Sequence, residues 1–210
     1  MRIPIDIVRT EPPAVVQAEL FDDVTVEHFL ETQLLWRPVV VDAAKALHRK
    51  GVARNEIPAH WHWNWESKAS ELGVLAFSFI GIECGGKLQG LMKLDVATHS
   101  SRLSGQEGKP VVYVDYLETA PWNVKSLMTA LGAKPEYSAV GTRLIEAAVR
   151  RSIAEGFRGR VALHSVPGSE RFYLEVCGMA AVEPDSAKQN LLWCEFTPEQ
   201  ARAFIGGENA

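Results

Sequence analysis

The spacing of apolar side chains changes along the chain. Residues 26–36 repeat apolar positions at helical spacing, and the run stops ahead of Pro38, which disfavours helix in the residue before it. Asp42 suits the N-cap of a short helix ending at Gly51. After Pro58 comes an aromatic run, His60-Trp61-His62-Trp63-Asn64-Trp65, leading into the helix-favouring residues 66–72. The first part of the chain therefore reads as helical. From residue 74 the period shortens. Residues 74–82 are rich in Phe, Ile and Val, Gly85-Gly86 marks a turn, and residues 88–96 set Gln89, Lys93 and Asp95 among Leu88, Leu94 and Val96. That pattern predicts a hairpin with one half-buried strand. Residues 100–110 form a polar loop and 111–117 a further strand. Beyond it the periods alternate: a helix over 140–155 with Leu144, Ile145, Ala148, Val149, Ser152 and Ile153 on one face and Gly156 as its C-cap, a strand at 161–164, a helix from Pro167 to near Gly178, and a strand at 190–196. This order predicts an α/β fold, a mixed sheet with helices on both faces.

Composition narrows the class. With 210 residues, 47% apolar and 23% charged, the chain is the size and balance of one globular domain and is not a disordered polymer. A net charge of −4 argues against a nucleic-acid partner held by bulk positive charge. The charge is uneven, however. Residues 1–31 hold seven acids against two bases, whereas residues 143–160 hold five arginines against two acids, a local basic region suited to an anionic ligand. Glu146 and Arg150, and Arg151 and Glu155, stand four apart and account for part of it as paired surface charges. No apolar run approaches the roughly 18 residues of a membrane span, and the first residues lack a leader's apolar core. Cys84, Cys177 and Cys194 are odd in number and widely spaced, which predicts reduced thiols in a cytoplasmic protein.

One strand–loop–helix unit carries candidate chemistry. The strand ends at Leu117-Glu118-Thr119-Ala120-Pro121, and after an insertion over 124–135 the chain reads Glu136-Tyr137-Ser138-Ala139-Val140-Gly141-Thr142-Arg143-Leu144 into the strongest helix. Small residues at a helix start let backbone N–H groups approach an anion, and the helix dipole adds partial positive charge. A later segment reads Phe172-Tyr173-Leu174-Glu175-Val176-Cys177-Gly178-Met179. These segments resemble the GNAT superfamily of acetyl-CoA-dependent N-acetyltransferases. In that family Thr119-Ala120-Pro121 corresponds to a V-x-P-like strand end. Glu136 to Gly141 corresponds to a Q/R-x-x-G-x-G/A loop, and residues 172–179 to a Tyr-bearing helix. Glu136 stands where Gln or Arg is usual, Ala139 where the first glycine is usual, Val166 where an asparagine is often found, and Met179 where Phe is usual. The resemblance covers residues 72–197 of a single domain spanning 1–210, with the helical 1–71 on the acceptor side.

The resemblance implies a fold with a mostly antiparallel mixed sheet and direct acetyl transfer from acetyl-CoA to an amine, with no metal. It implies that backbone groups at Leu117 and Thr119 hold the pantetheine arm. The pyrophosphate would then rest on Ser138, Ala139, Val140, Gly141, Thr142 and Arg143. Tyr173 takes the position of the general acid that protonates the leaving thiolate. The ammonium of an acceptor must lose a proton, and Asp115 and Glu118 are the candidate bases, with Glu118 preferred. Three residues apart on a strand, they face opposite sides. A homodimer is a common arrangement in related proteins.

Trp61, Trp63 and Trp65 share one face of an extended strand and form a candidate aromatic wall for the acceptor; in a helix only Trp61 and Trp65 align. His60 and His62 have no third ligand at a recognisable spacing. His164 ends a strand near the expected cleft, where an imidazole titrates near neutral pH. Two other readings stand beside the enzyme: a coenzyme-A-binding regulatory module with its chemistry lost, and an acetylator of aminoacyl-tRNA, against which the acidic chain argues.

Overall fold

The computed structural model describes residues 1–52 and 63–206. Within them the strands are β1 (Arg2–Thr10), β2 (Pro13–Phe21), β3 (Phe77–Cys84), β4 (Lys87–Asp95), β5 (Val112–Thr119), β6 (Tyr137–Ser138), β7 (Val161–Ser165), β8 (Ala180–Asp185) and β9 (Leu191–Glu195). They form one sheet in the order β6-β1-β2-β3-β4-β5-β7-β9-β8. Antiparallel ladders join β1 to β2 and β6, β2 to β3, and β9 to β7 and β8. Strands β5 and β7 run parallel, pairing Val112 with Val161, Tyr113 with Ala162 and Val114 with Leu163. The helices are α1 (Val26–Glu31), α2 (Arg37–Arg49), α3 (Lys125–Ala130), α4 (Val140–Ala154) and α5 (Pro198–Gly206). This is the expected α/β architecture with a mixed, mostly antiparallel sheet.

Several local expectations are corrected. Residues 2–21 form a β-hairpin, not part of a helical segment. Ile3, Ile5 and Ile7 recur at every second position, which is the period-two signal of a strand. Pro38 does not stop the helix. The chain continues from α1 through a wide turn, Thr32–Trp36, in which the N–H of Arg37 reaches back to the carbonyl of Thr32, and Pro38 then occupies the first turn of α2. The proline's missing donor costs nothing at a helix start. Asp42 accordingly lies inside α2, paired with Lys45, rather than at a cap. Strand β4 is buried from Leu88 to Asp95, not half-buried. A central strand covered on both faces loses the alternation of a solvated one. The helix ahead of Gly178 is shorter than expected: it covers residues 170–176, ending in the wide turn Phe172–Val176, and does not begin at Pro167. Strand β8 was not expected; its Pro184 and its acids suit an edge, where it lies.

The chain forms two compact units. The first comprises residues 1–73, 79–92 and 117–144. Its core holds Ile7, Phe21, Phe29, Trp36, Trp65, Ile82, Leu88 and Leu91. Phe29 lies 6.0 Å from Trp65 and 5.4 Å from Phe79, ring centre to ring centre. The buried Gln89 is fully engaged: its amide nitrogen donates to the Cys84 carbonyl, and its oxygen accepts from Trp122 Nε1 and Asn123 Nδ2. Gly90 lies on β4 opposite the start of α4, where an added Cβ would sit 2.8 Å from Val140 Cγ1 and 3.0 Å from Leu144 Cδ1. Valine is stiff in a helix, so the contact cannot relax freely. Gly90→Ala is expected to cost about 1–3 kcal/mol of overpacking strain, read as a lowered midpoint in denaturant unfolding.

The second unit comprises residues 74–78, 93–116 and 145–210. A polar network anchors the 100–110 loop within it. Glu195, buried, accepts from the Ser101 hydroxyl, from the Arg102 N–H at 3.0 Å and from Trp193 Nε1 at 2.9 Å. The Arg102 guanidinium lies over the Trp193 ring and pairs with Asp185 at 2.7 Å, and that bond is the main cause holding the Asp185 carboxyl down to about 2. His164 is closed into the same network, 3.0 Å from Asp185 and 2.7 Å from the Tyr113 hydroxyl. Burial pushes its imidazole below the usual value, against the pull of Asp185.

Candidate active site

The C-terminal end of β5 sets the site. Leu117 and Thr119 are half-buried, and Glu118 between them is buried, 8% exposed. One carboxyl oxygen of Glu118 accepts a hydrogen bond from Trp65 Nε1 at 2.7 Å. Trp65 precedes the 3₁₀ turn Glu66–Glu71 and is held by its stack on Phe29. Burial drives the Glu118 carboxyl up to about 7, and the Trp65 bond pulls it back only in part. A buried acid poised near neutrality can accept a proton at physiological pH.

Glu118 lines a cavity of about 20 Å³ with Thr32, Gln33, Trp36, Arg37, Val40, Trp63 and Trp65. That is room for one water-sized group. The wide turn Thr32–Trp36 places Thr32 and Trp36 on this cavity. Trp36 is 2% exposed, lies edge-on to Trp122 with ring centres 6.4 Å apart, and its Nε1 has no hydrogen-bond partner among the described residues. The structure thus brings together Glu118, Trp63 and Trp65 from the sequence-derived site. Trp61 lies outside the described residues. Thr32, Gln33, Trp36 and Arg37 join them without having been expected from the sequence. Thr32 and Trp36 share a helix side by their spacing, but nothing in that spacing says what the side meets.

The expected anion loop belongs to the same unit. Tyr137 and Ser138 pair with Arg9 and Val8 of β1, and α4 begins at Val140. The Arg143 N–H makes its helical bond to the Ala139 carbonyl at 2.9 Å, so the amides of Val140, Gly141 and Thr142 precede that bond at the helix start. Arg143 Nε donates to the Asp6 carbonyl at 2.7 Å. Ala139 has φ 68°, the left-handed region that glycine enters without cost and alanine does not. The position keeps the backbone shape of a glycine loop although its residue is alanine.

Asp115 and Tyr173 belong to the second unit. Asp115 is held by Lys93 Nζ at 2.6 Å, and that ammonium also lies 4.1 Å over the Phe77 ring. Tyr173 is 8% exposed, and burial raises its phenol above the usual value, so it stays protonated at neutral pH. Its hydroxyl has no hydrogen-bond partner among the described residues.

Among the described residues no helix is long and apolar enough to cross a membrane. No protein-family model and no curated protein matches the chain. Solved structures do. A GNAT-family acetyltransferase from Listeria monocytogenes is 13% identical with TM-score 0.51, over 91% of this chain and 99% of that one. Aminoglycoside acetyltransferase AAC(6')-Ib, in complex with coenzyme A and kanamycin, is 16% identical with TM-score 0.50, over 88% and 96%. A Bacillus halodurans protein is 8% identical with TM-score 0.50, over 98% and 97%. The chain has the GNAT fold.

Proposed function

We propose that this protein belongs to the GNAT superfamily and transfers the acetyl group of acetyl-CoA to a primary amine. The observation that carries this reading is Glu118: a buried carboxyl poised near neutrality, walled by Trp63 and Trp65, at the end of the strand the resemblance assigns to the thioester carrier. The fold shared with an acetyltransferase solved with coenzyme A and kanamycin supports it.

The chain's own groups suit such a donor. Backbone groups at Leu117 and Thr119 hold the pantetheine arm. The amides of Val140, Gly141 and Thr142, with Arg143 beside them and Ser138 and Ala139 leading in, receive the diphosphate. Glu118, as carboxylate, takes the ammonium proton. The freed nitrogen attacks the thioester carbonyl, the carbon–sulfur bond breaks, the sulfur takes the hydroxyl proton of Tyr173, and the second proton that the nitrogen sheds on becoming an amide returns through solvent to the tyrosinate. Asp115 is the weaker choice of base because Lys93 already occupies its carboxylate.

Thiol release from acetyl-CoA over a panel of amines tests the reading: turnover supports it, and coenzyme A binding without turnover on any amine would replace it with a regulatory module. Glu136, an acid ahead of the anion loop, and Ala139, alanine in a left-handed conformation, favour that second reading. Gly141→Asp is expected to abolish calorimetric binding of coenzyme A, because a carboxylate at the helix start opposes the diphosphate by charge and bulk. Retained affinity would move the nucleotide site elsewhere.

A further inference from the structure

We propose that Trp36 selects the acceptor: the amine taken by this site carries a carbonyl oxygen on the carbon next to its amine-bearing carbon, as in an amino-acid amide or a peptide N-terminus. This rests on the acetyl-transfer reading and narrows it.

The argument starts from an unmet donor. Trp36 is almost wholly buried, and its Nε1 has no partner among the described residues although it lines the same cavity as Glu118. An indole N–H can only donate, so it requires an acceptor atom. A buried polar group left without a partner is costly, and native proteins rarely keep one without a reason. An ammonium head cannot serve, because all its polar hydrogens are donors. It pairs instead with Glu118, whose second oxygen is not used by Trp65. The cavity is about the size of one water molecule. The group that meets Glu118 and the oxygen that meets Trp36 must therefore lie close together in one ligand, within about three bonds of each other. A carbonyl beside the amine has that spacing. Arg37, lining the same cavity, adds a cation that suits an oxygen and opposes a second positive charge. A plain alkylamine would enter and leave Trp36 unpaired.

Proton chemistry agrees with the geometry. An α-amino group has a pKa of about 7.7–8.0 and a lysine-type amine about 10.4. A carboxyl poised near 7 takes the proton of the first at much smaller cost.

The test compares glycinamide, triglycine and n-propylamine as acceptors for the full chain with acetyl-CoA, at matched concentrations of free amine. The carbonyl-bearing amines are expected to show kcat/KM at least tenfold above n-propylamine, and Trp36→Phe, which removes the donor, is expected to bring that ratio within about threefold. Triglycine ahead of glycinamide assigns the site to peptide N-termini, and the reverse order to small molecules. Equal or better use of n-propylamine by the unaltered protein overturns the proposal. So does an unchanged ratio in a folded Trp36→Phe protein, which is the result expected if Trp36 merely holds a water. Should Trp36→Phe fail to fold, the ratio in the unaltered protein decides. Absence of turnover with all three amines and with a wider panel overturns acetyl transfer itself, a distinct failure.

Discussion

Glu118→Gln is expected to cut the rate of acetyl transfer by about 10²–10⁴-fold while making the fold more stable at pH 8. The two effects have one cause. Burial holds the Glu118 carboxyl up to about 7, against an ordinary 4.5. In the unfolded chain it ionises near the ordinary value, so the folded state holds a proton that the unfolded state has lost. The contribution of this raised group to stability is intact below pH 4.5 and is lost as pH rises to about 7. Glutamine does not titrate and can still accept the Trp65 hydrogen bond. Its advantage over glutamate should grow between those two pH values and level off above them, at about 3 kcal/mol. Differential unfolding curves at pH 4 and pH 8 read this directly: near coincidence at the first, a clear gap at the second. If Glu118 is the base, the unaltered protein should also show kcat/KM rising with pH to a plateau, with an apparent pKa near 7, and the glutamine variant should lose that limb. Full activity in the variant would remove the base role from Glu118, whatever the stability result.

Tyr173→Phe is expected to slow turnover by tenfold or more, with melting temperature little changed. The ring is buried and would stay so, while the hydroxyl has no hydrogen-bond partner among the described residues, so its removal leaves no polar group newly stranded. Burial keeps the phenol protonated at neutral pH, the state a proton donor needs. If the hydroxyl protonates the departing sulfur, the loss should appear in kcat more than in the affinity for acetyl-CoA. Unchanged kcat in a folded variant would make Tyr173 a packing residue.

The local elements that carry the strongest periodic signal are legible in the sequence. Helix α4 and its Gly156 C-cap, the β3–β4 hairpin at Gly85-Gly86, and strands β5, β7 and β9 follow from apolar spacing and turn residues. The N-terminal hairpin is legible too, in the alternation of Ile3, Ile5 and Ile7, but the helical spacing that begins at residue 26 masks it when carried back over residues 2–21. Strand β4 departs from its pattern for a physical reason. Gln89, Lys93 and Asp95 look like a solvated face, yet each is buried and matched: Gln89 by Trp122 and Asn123, Lys93 by Asp115, Asp95 by the amides of Ala97 and Thr98. A polar residue in sequence says that it needs a partner, not whether water supplies it.

Taken alone, the sequence determined the α/β class, the strand–loop–helix unit that suits an anion, and a short roll of residues with the right chemistry. Those come from periodicity and side-chain type, which are local properties of the chain. Only the tertiary structure chose among them. Trp65 and Glu118 stand 53 positions apart, and no pattern in sequence requires their contact. The carboxyl gains its poise from burial beneath tryptophans contributed by separate segments, and Trp36 becomes an unpaired donor only because the fold closes around it. Desolvation is set by neighbours in space, so the charge state of the candidate base was beyond the reach of any reading along the chain.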